Sequence, residues 1–246
     1  MIYFLLPAYN EEKNIVEVLR DIKENFSDDE YCVVLVNDGS TDKTEEVAKS
    51  VMADLQLKIL SHEKNLGLGR ALKTGFEYIL ENISSENAQN EGVLITLDAD
   101  NSHPIDLCKK MIEKARAGTD IVIGSRYCPG AAEIGVGFTR KLLSRMASLI
   151  FSIFLRYPKI KDYTSGYRAY RLAFLSKMRE KYPETFITES GFSAGTEILI
   201  KSFTLRPKIE EVPLILRYDL KKGKSKIRIL PTIFAYLKLL LKLKIH

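Results

Sequence analysis

Short apolar runs alternate with longer amphipathic stretches from the first residues of the chain onward. Ile2 to Leu6 reads as a buried strand, Glu11 to Asn25 as a helix with apolar residues spaced by three and four, Tyr31 to Val36 as a strand, and Thr41 to Leu55 as a second helix. The rhythm continues through a strand at Leu57 to Leu60, a helix from Leu68 to Leu80, a strand over Gly92 to Leu97, a helix from Pro104 to Ala117 and a strand at Asp120 to Ile123. Such alternation predicts an α/β fold with a mostly parallel, Rossmann-like sheet and helices on both faces. Ligands of these sheets gather beyond the carboxyl ends of the strands. The loops after the strands are therefore where the chemistry should lie.

Three of those loops carry carboxylates: Pro7-Ala8-Tyr9-Asn10-Glu11-Glu12, Asn37-Asp38-Gly39-Ser40-Thr41-Asp42 and Asp98-Ala99-Asp100. Asn10, Ser40 and Thr41 also suit helix caps, but capping does not account for three carboxylate-bearing loops on one edge. Ser84 to Asn90, polar and aperiodic, reads as a surface loop. Gly130 to Gly137 reads as a mobile loop able to close over a ligand.

Two later segments are apolar. The first, Met146 to Leu155 within segment 145–157, is too short to span a bilayer, which takes about 20 apolar residues; core helix, dimer contact and membrane contact all remain open for it. The second, Ile229 to Ile245, places Pro231 near a helix start and sets Lys238, Lys242 and Lys244 among leucines. This pattern predicts an amphipathic helix in a membrane interface, its lysines reaching anionic headgroups.

Composition narrows the class. With 246 residues and 46% hydrophobic content, the chain can bury one sizeable core. Cys32, Cys108 and Cys128 are odd in number and widely spaced, so neither a disulfide framework nor a metal-binding pair is indicated and a reducing compartment is expected. Met1 to Leu6 lacks a basic leader and meets Pro7 too early for a signal sequence, which points to the cytoplasm. The net charge of +5 is unevenly spread: from Arg217 onward nine Lys or Arg stand against the single acid Asp219. An anionic partner follows; a nucleic acid is not expected.

Asp98-Ala99-Asp100 carries the strongest chemical signal. Two carboxylates one residue apart at a strand end can hold Mg²⁺ or Mn²⁺, hard ions that prefer oxygen ligands and let a substrate diphosphate complete the shell. A solvated turn with an Asx cap ahead of Pro104 uses the same residues.

Taken in order, the first two loops, Asn65-Leu66-Gly67-Leu68-Gly69-Arg70-Ala71, Asp98-Ala99-Asp100, Gly124-Ser125-Arg126-Tyr127 and Asp162-Tyr163-Thr164-Ser165-Gly166-Tyr167-Arg168 resemble the motifs of family-2 glycosyltransferases of the GT-A fold. The resemblance is closer to the polyprenyl-phosphate branch, which includes the dolichol-phosphate mannose synthases. It implies metal-dependent, inverting transfer of a hexose, mannose or glucose, from a GDP- or UDP-linked donor to a polyprenyl or dolichyl phosphate. By that resemblance Pro7, Ala8, Tyr9, Glu11, Asp38, Asp98, Ala99 and Asp100 bind the donor, and Asp98, Asp100 and Ser102 hold Mg²⁺ or Mn²⁺. Arg126, Arg140, Ser144, Lys221 and Lys222 cradle the acceptor phosphate, and Asp100, Arg126 and Glu197 are the catalytic candidates. Arginine suits phosphate because its fork bonds two oxygens. Arg168 orients Asp162 or the site loops, or forms an internal salt bridge. Residues 1–228 then form the catalytic domain, including segment 145–157, and residues 229–246 a helix that attaches it peripherally to the cytoplasmic face of a membrane. A homodimer or a membrane-protein partner is left open.

Two departures from the family pattern matter. Where the family reads Asp-Ala-Asp-Leu-Gln-His-Pro, with the glutamine in the metal shell, this chain has Asn101 and Ser102 before His103. Ser102 would then bind through water, and His103 reads as structural. Where the family reads Arg-x-x-Gly-x-Ser-Lys, Leu220 replaces the arginine, and Lys221 or Lys222 would supply its charge. Gly67 and Gly69 read as tight packing at a helix start rather than a phosphate cradle. Two other functions stay open: transfer to a sugar or lipid hydroxyl with Glu197 as base, and nucleotide-sugar binding without catalysis.

Overall fold

A computed structural model describes residues 1–51, 55–83, 91–155, 157, 160–223 and 229–243. The first half alternates as the pattern predicts: β1 (Ile2–Ala8), α1 (Ile15–Phe26), β2 (Tyr31–Asn37), α2 (Thr44–Lys49), β3 (Leu57–Ser61), α3 (Leu68–Glu81), β4 (Val93–Thr96), α4 (Leu107–Arg116) and β5 (Ile121–Ser125). The second half adds β6 (Ala132–Ile134), α5 (Phe138–Leu155), β7 (Arg168–Arg171), α6 (Leu172–Lys181), α7 (Ala194–Ser202), β8 (Ile209–Pro213), β9 (Ile215–Arg217) and α8 (Ile229–Leu243). α2 is shorter than the expected Thr41 to Leu55. The expected loop Ser84 to Asn90 lies outside the described residues.

The main sheet has strand order β3-β2-β1-β4-β7-β5-β8. β3, β2, β1 and β4 are mutually parallel, as are β5 and β8, while β7 runs antiparallel between β4 and β5. The expectation of a mostly parallel sheet holds, with one reversed strand. Residues of β1 alternate between two cores. Ile2, Phe4 and Leu6 pack toward α1 and α4, whereas Tyr3 and Leu5 pack toward α3, α6 and α7. Burial on both faces is why β1 reads as an unbroken apolar run.

From β1 the chain steps outward to β2 and β3, then crosses to β4 on the other side. The carboxyl ends of β1 and β4 therefore flank the reversal of strand order, which is where open α/β sheets bind ligands. The Pro7–Glu11 loop leaves one strand and Asp98–Asp100 the other.

Gly130 to Gly137 is not the loop its glycines suggested. Ala132–Ile134 forms β6 and pairs in parallel with β9. Gly135, with φ 75°, turns the chain where a Cβ would stand 2.5 Å from the Asp219 nitrogen, a position and a contact only glycine accommodates. β6 thereby fastens the C-terminal part of the chain beside the sheet.

Candidate active site

The first two loops are built against each other. The Asn10 amide donates to Ser40 Oγ (2.9 Å), and Asn10 Oδ1 accepts from the Thr41 amide (2.7 Å). Asn10 adopts φ 54° to do so, a left-handed conformation that asparagine tolerates. Glu11 is buried, its amide donating to Thr44 Oγ1 and its Oε2 accepting from Asn14.

Asp38 does something other than wait for a base or ribose. Its carboxylate accepts from the amides of Leu66 (2.9 Å) and Gly67 (2.8 Å) and meets His62 Nδ1 at 2.7 Å, while His62 Nε2 reaches Thr74 Oγ1. With three partners and 3% exposure, Asp38 fixes the 62–67 loop beside the site. Its place on the cavity wall is as expected; most of its hydrogen-bonding capacity is spent within the chain.

At the end of β4, Asp98 is exposed and Asp100 buried. Asp100 Oδ1 accepts from the Ser102 amide (3.1 Å) and hydroxyl (2.5 Å), and Oδ2 pairs with Lys221 Nζ at 2.5 Å. Burial opposes the Asp100 charge, but Lys221 and Ser102 hold its carboxyl below the usual carboxylate range. Asn101 makes this turn at φ 64° and bonds Glu17 Oε2, which explains asparagine there. Ser102 spends its hydrogen on Asp100 and so orients that carboxylate. His103 is structural, as expected: Nδ1 accepts from the Asp98 amide and the ring stacks on Tyr167.

The donor set fits a divalent cation of the expected kind. Among the described residues no cluster of three or more carboxylate, imidazole or thiol groups could hold a metal unaided. Asp98 and Asp100 nevertheless line one cavity, and an ammonium already stands on Asp100 as a cation in that place. Mg²⁺ commonly takes one or two carboxylates and leaves the rest of its shell to phosphate and water.

Arg126, expected at the acceptor phosphate, grips Asp162 in a fork: Nε to Oδ2 and Nη2 to Oδ1, both 2.7 Å, with Nη2 also on Thr164 Oγ1. Burial works against the Asp162 charge, and Arg126 with the neighbouring amides outweighs it, leaving the carboxyl below its ordinary range. Ser144 accepts from the Tyr127 hydroxyl at 2.8 Å. The Arg140 guanidinium lies 4.5 Å from the centre of the Tyr218 ring. Lys222 points elsewhere: it pairs with Glu17, and its backbone is held at both N and O by Asn14. Of the two candidate lysines, Lys221 alone lines the cavity.

Two cavities meet here. One, of about 490 Å³, is lined by Pro7, Ala8, Tyr9, Glu11, Asp38, Asp98, Ala99, Asp100 and Lys221, and falls within the usual range for a ligand site. The other, about 180 Å³, is a narrower branch holding Arg126, Arg140, Ser144 and Thr164 together with apolar residues of α5 and α8. Asp98 and Arg140 are the charged residues common to both. Sequence reasoning missed Glu189 and Phe192 on the wall and Tyr218, whose buried hydroxyl has no hydrogen-bond partner among the described residues. Nothing in their local sequence marked them, since it is the fold that brings them to β1 and β4.

Residues 3–179 match the family model for glycosyl transferase family 2. The chain belongs to that family. It is 33% identical over 237 residues to the dolichol-phosphate mannosyltransferase of Pyrococcus furiosus, covering 95% of this chain but only 61% of that relative. Identity is 29% to the polyprenol monophosphomannose synthase of Mycolicibacterium smegmatis (85% and 75% covered) and 30% to the undecaprenyl-phosphate mannosyltransferase of Micrococcus luteus (91% and 86%). The solved glucosyl-3-phosphoglycerate synthase of Mycobacterium tuberculosis, in complex with Mn²⁺, UDP and phosphoglyceric acid, matches at TM-score 0.65 and 19% identity, covering 99% of this chain and 76% of that one. That last likeness establishes the fold, the GT-A architecture that the resemblance implied.

Within this family 2 fold, one expected role changes and the alternatives for another narrow. Glu197 is fully buried and lines neither cavity. Its Oε2 accepts from the amides of Thr188 (2.9 Å) and Glu189 (2.8 Å), and its Oε1 bonds the Thr188 hydroxyl and Lys201 Nζ. A carboxylate so committed is no general base; it positions the 188–193 segment on the cavity wall. That segment packs on the start of α3, where a Cβ at Gly69 would stand 1.9 Å from the Glu189 oxygen and one at Gly67 2.4 Å from the Ser190 oxygen. Close packing, not phosphate binding, requires those glycines. Of the readings for Arg168, the structure favours the site loops: fully buried, it donates to the carbonyls of Tyr163 and Gly195 and ties the 163 loop to α7.

The protein should respond to Glu197→Gln as to loss of a scaffold. Burial disfavours the Glu197 charge, yet Lys201, Thr188 and the Glu189 amide hold its carboxyl below the usual glutamate value. Its stabilisation is therefore present above about pH 4.3 and lost as pH falls through the lower folded value. Glu197→Gln should cost about 3 kcal/mol near pH 7 by leaving Lys201 uncompensated. In denaturant titrations the gap from the natural protein should narrow below about pH 4. A variant of unchanged stability that fails only in turnover would return Glu197 to the chemistry.

Proposed function

We propose that this protein transfers a hexose, mannose or glucose, from a GDP- or UDP-linked donor to a polyprenyl phosphate at the cytoplasmic face of a membrane. The observation that carries the reading is the junction of two unlike cavities at Asp98 and Arg140. The wider one has the carboxylates and loops suited to a nucleotide diphosphate, and the narrower one pairs arginines with an apolar wall suited to a phosphate on a hydrocarbon chain. The names of the relatives, all mannosyltransferases or synthases of lipid phosphates, support it.

The chemistry asks little of a base. A phosphate monoester, with its second pKa near 6, is largely dianionic at about pH 7. One of its oxygens attacks the anomeric carbon as the bond to the donor diphosphate breaks, and no proton has to be removed. Asp98 and Asp100 would hold Mg²⁺ or Mn²⁺, which neutralises charge on the leaving diphosphate. Arg140, at the junction, orients the acceptor phosphate, and Ser144 and Thr164 add hydroxyls beside it. Arg126 contributes through its ion pair, which fixes the 162–165 loop under the acceptor. The hydroxyl-acceptor alternative loses its base with Glu197.

The acceptor branch lies between α5 and α8. Leu143, Ser144 and Ala147 face it from one helix and Thr232, Ile233 and Tyr236 from the other, with Phe151 and Tyr236 in edge contact at 5.5 Å. Outward, α5 exposes Phe138, Leu142, Met146, Leu149 and Ile153, and α8 exposes Phe234, Leu237 and Leu241. Exposed apolar stripes on adjacent helices mark an interaction surface, and no helix among the described residues is long and apolar enough to cross a membrane. We place these helices flat in the interface, so that a lipid phosphate enters the branch directly from the bilayer.

Arg140→Ala tests the acceptor assignment more cleanly than Arg126→Ala, which would strand the buried Asp162. Loss of one charge-assisted contact should lower kcat/KM for polyprenyl phosphate roughly tenfold to a hundredfold. KM for the sugar donor should change far less; an equal effect on both substrates would remove Arg140 from the acceptor side. Co-sedimentation with vesicles containing anionic phospholipid tests the membrane surface. The double variant Phe234→Asp, Leu241→Asp should cut binding at least about tenfold, given roughly 1.5–3 kcal/mol for each buried side chain, and undiminished binding would refute the docking face.

A further inference from the structure

Lys221 stands where the proposed cation would bind, and its surroundings explain what it does there. Its ammonium sits on Asp100 Oδ2, both side chains being only 8% exposed, with the Tyr218 ring 5.3 Å away. The backbone on either side is anchored: the Arg217 amide to Ser102 O, the Tyr218 amide to Ile134 O, and Lys222 through N and O to Asn14, each at 2.9 Å. The strap is thus held in place while the lysine side chain, with four rotatable bonds, is free to change partner. Asp100 Oδ1 already accepts twice from Ser102, and Oδ2 carries the Lys221 ammonium, whose charge opposes a second cation at the remaining acceptor site.

We infer that Lys221 couples metal binding to nucleotide binding: it competes with a divalent cation for Asp100 until a diphosphate arrives to take the ammonium. Charge balance gives the direction. Asp98, Asp100 and the Lys221 ammonium together carry a single net negative charge, so a dication entering alone displaces Lys221 from Asp100 into a cavity whose other carboxylates, Glu11, Asp38 and Glu189, already accept from Asn14, the 62–67 loop and Ser193. When a diphosphate enters the same cavity, which Lys221 also lines, the ammonium gains a new partner and Asp100 is released to the cation. Each ligand then raises the affinity of the other, and by the same factor. The inference rests on the proposed metal role of Asp98 and Asp100, but not on catalysis.

Mn²⁺ binding to the full chain, read from the free-ion paramagnetic resonance signal with and without GDP or UDP, tests it. Binding of Mn²⁺ by the nucleotide alone is measured separately and subtracted. Lys221→Met should bind Mn²⁺ about tenfold more tightly than the natural protein in the absence of nucleotide, within the usual range of coupling between sites. Nucleotide should then improve Mn²⁺ affinity much less in Lys221→Met than in the natural protein. Lys221→Arg, which keeps the charge, should retain the weak nucleotide-free affinity, and Mn²⁺ should raise the melting temperature of Lys221→Met more than that of the natural protein. Equal nucleotide-free affinity in the natural protein and Lys221→Met, with unchanged dependence on nucleotide, would overturn the coupling and leave the metal site standing. Absence of Mn²⁺ binding to all three proteins under every condition would overturn the metal site and the coupling together.

Discussion

A carboxylate buried at the end of a central strand has to be compensated, and the compensation of Asp100 organises this molecule. Removing a carboxylate from water costs several kcal/mol unless donors replace the lost hydration. Ser102 supplies two of them through a turn that forces Asn101 into a left-handed conformation, and Lys221 supplies the third from the far end of the chain. To bring Lys221 there, the strap after β9 is stitched to Ser102, to β6 and to Asn14. That strap becomes a wall of the site. The demand of one anion thus joins the β1–β4 half of the sheet to the C-terminal segment.

Other buried charges repeat the device at the rim. Asp38 fixes the 62–67 loop, the Arg126–Asp162 fork fixes the 162–165 loop, and Glu197 fixes the 188–193 segment. Each is a charge whose hydrogen bonds hold backbone in place. Exposed Asp98 and half-buried Arg140, at the same rim, face both cavities.

This division explains what the sequence disclosed. The strand–helix rhythm and the gathering of the three carboxylate loops at one edge were legible because they depend on periodicity and on the rule that ligands gather at strand ends. The choice between Lys221 and Lys222 was not, because the two are adjacent in an irregular strap after a turn and only the anchoring of Lys222 by Asn14 and Glu17 decides which one enters. Glu197 misled because α7 is buried on almost every side, so its spacing cannot show whether a carboxylate faces a cavity or the core. Gly130 to Gly137 misled because glycine serves a tight packed turn as readily as a mobile loop. Tyr218 and Phe192 gave no local signal at all.

The account depends most on the acceptor being a phosphate presented on a hydrocarbon chain. The direct measurement offers purified protein radiolabelled GDP- and UDP-hexoses with Mg²⁺ or Mn²⁺ and either a short-chain polyprenyl phosphate or the matching polyprenol. Label should pass into the organic phase with the phosphate and not with the alcohol. Transfer to the alcohol, or transfer to neither lipid from any donor, would contradict the account.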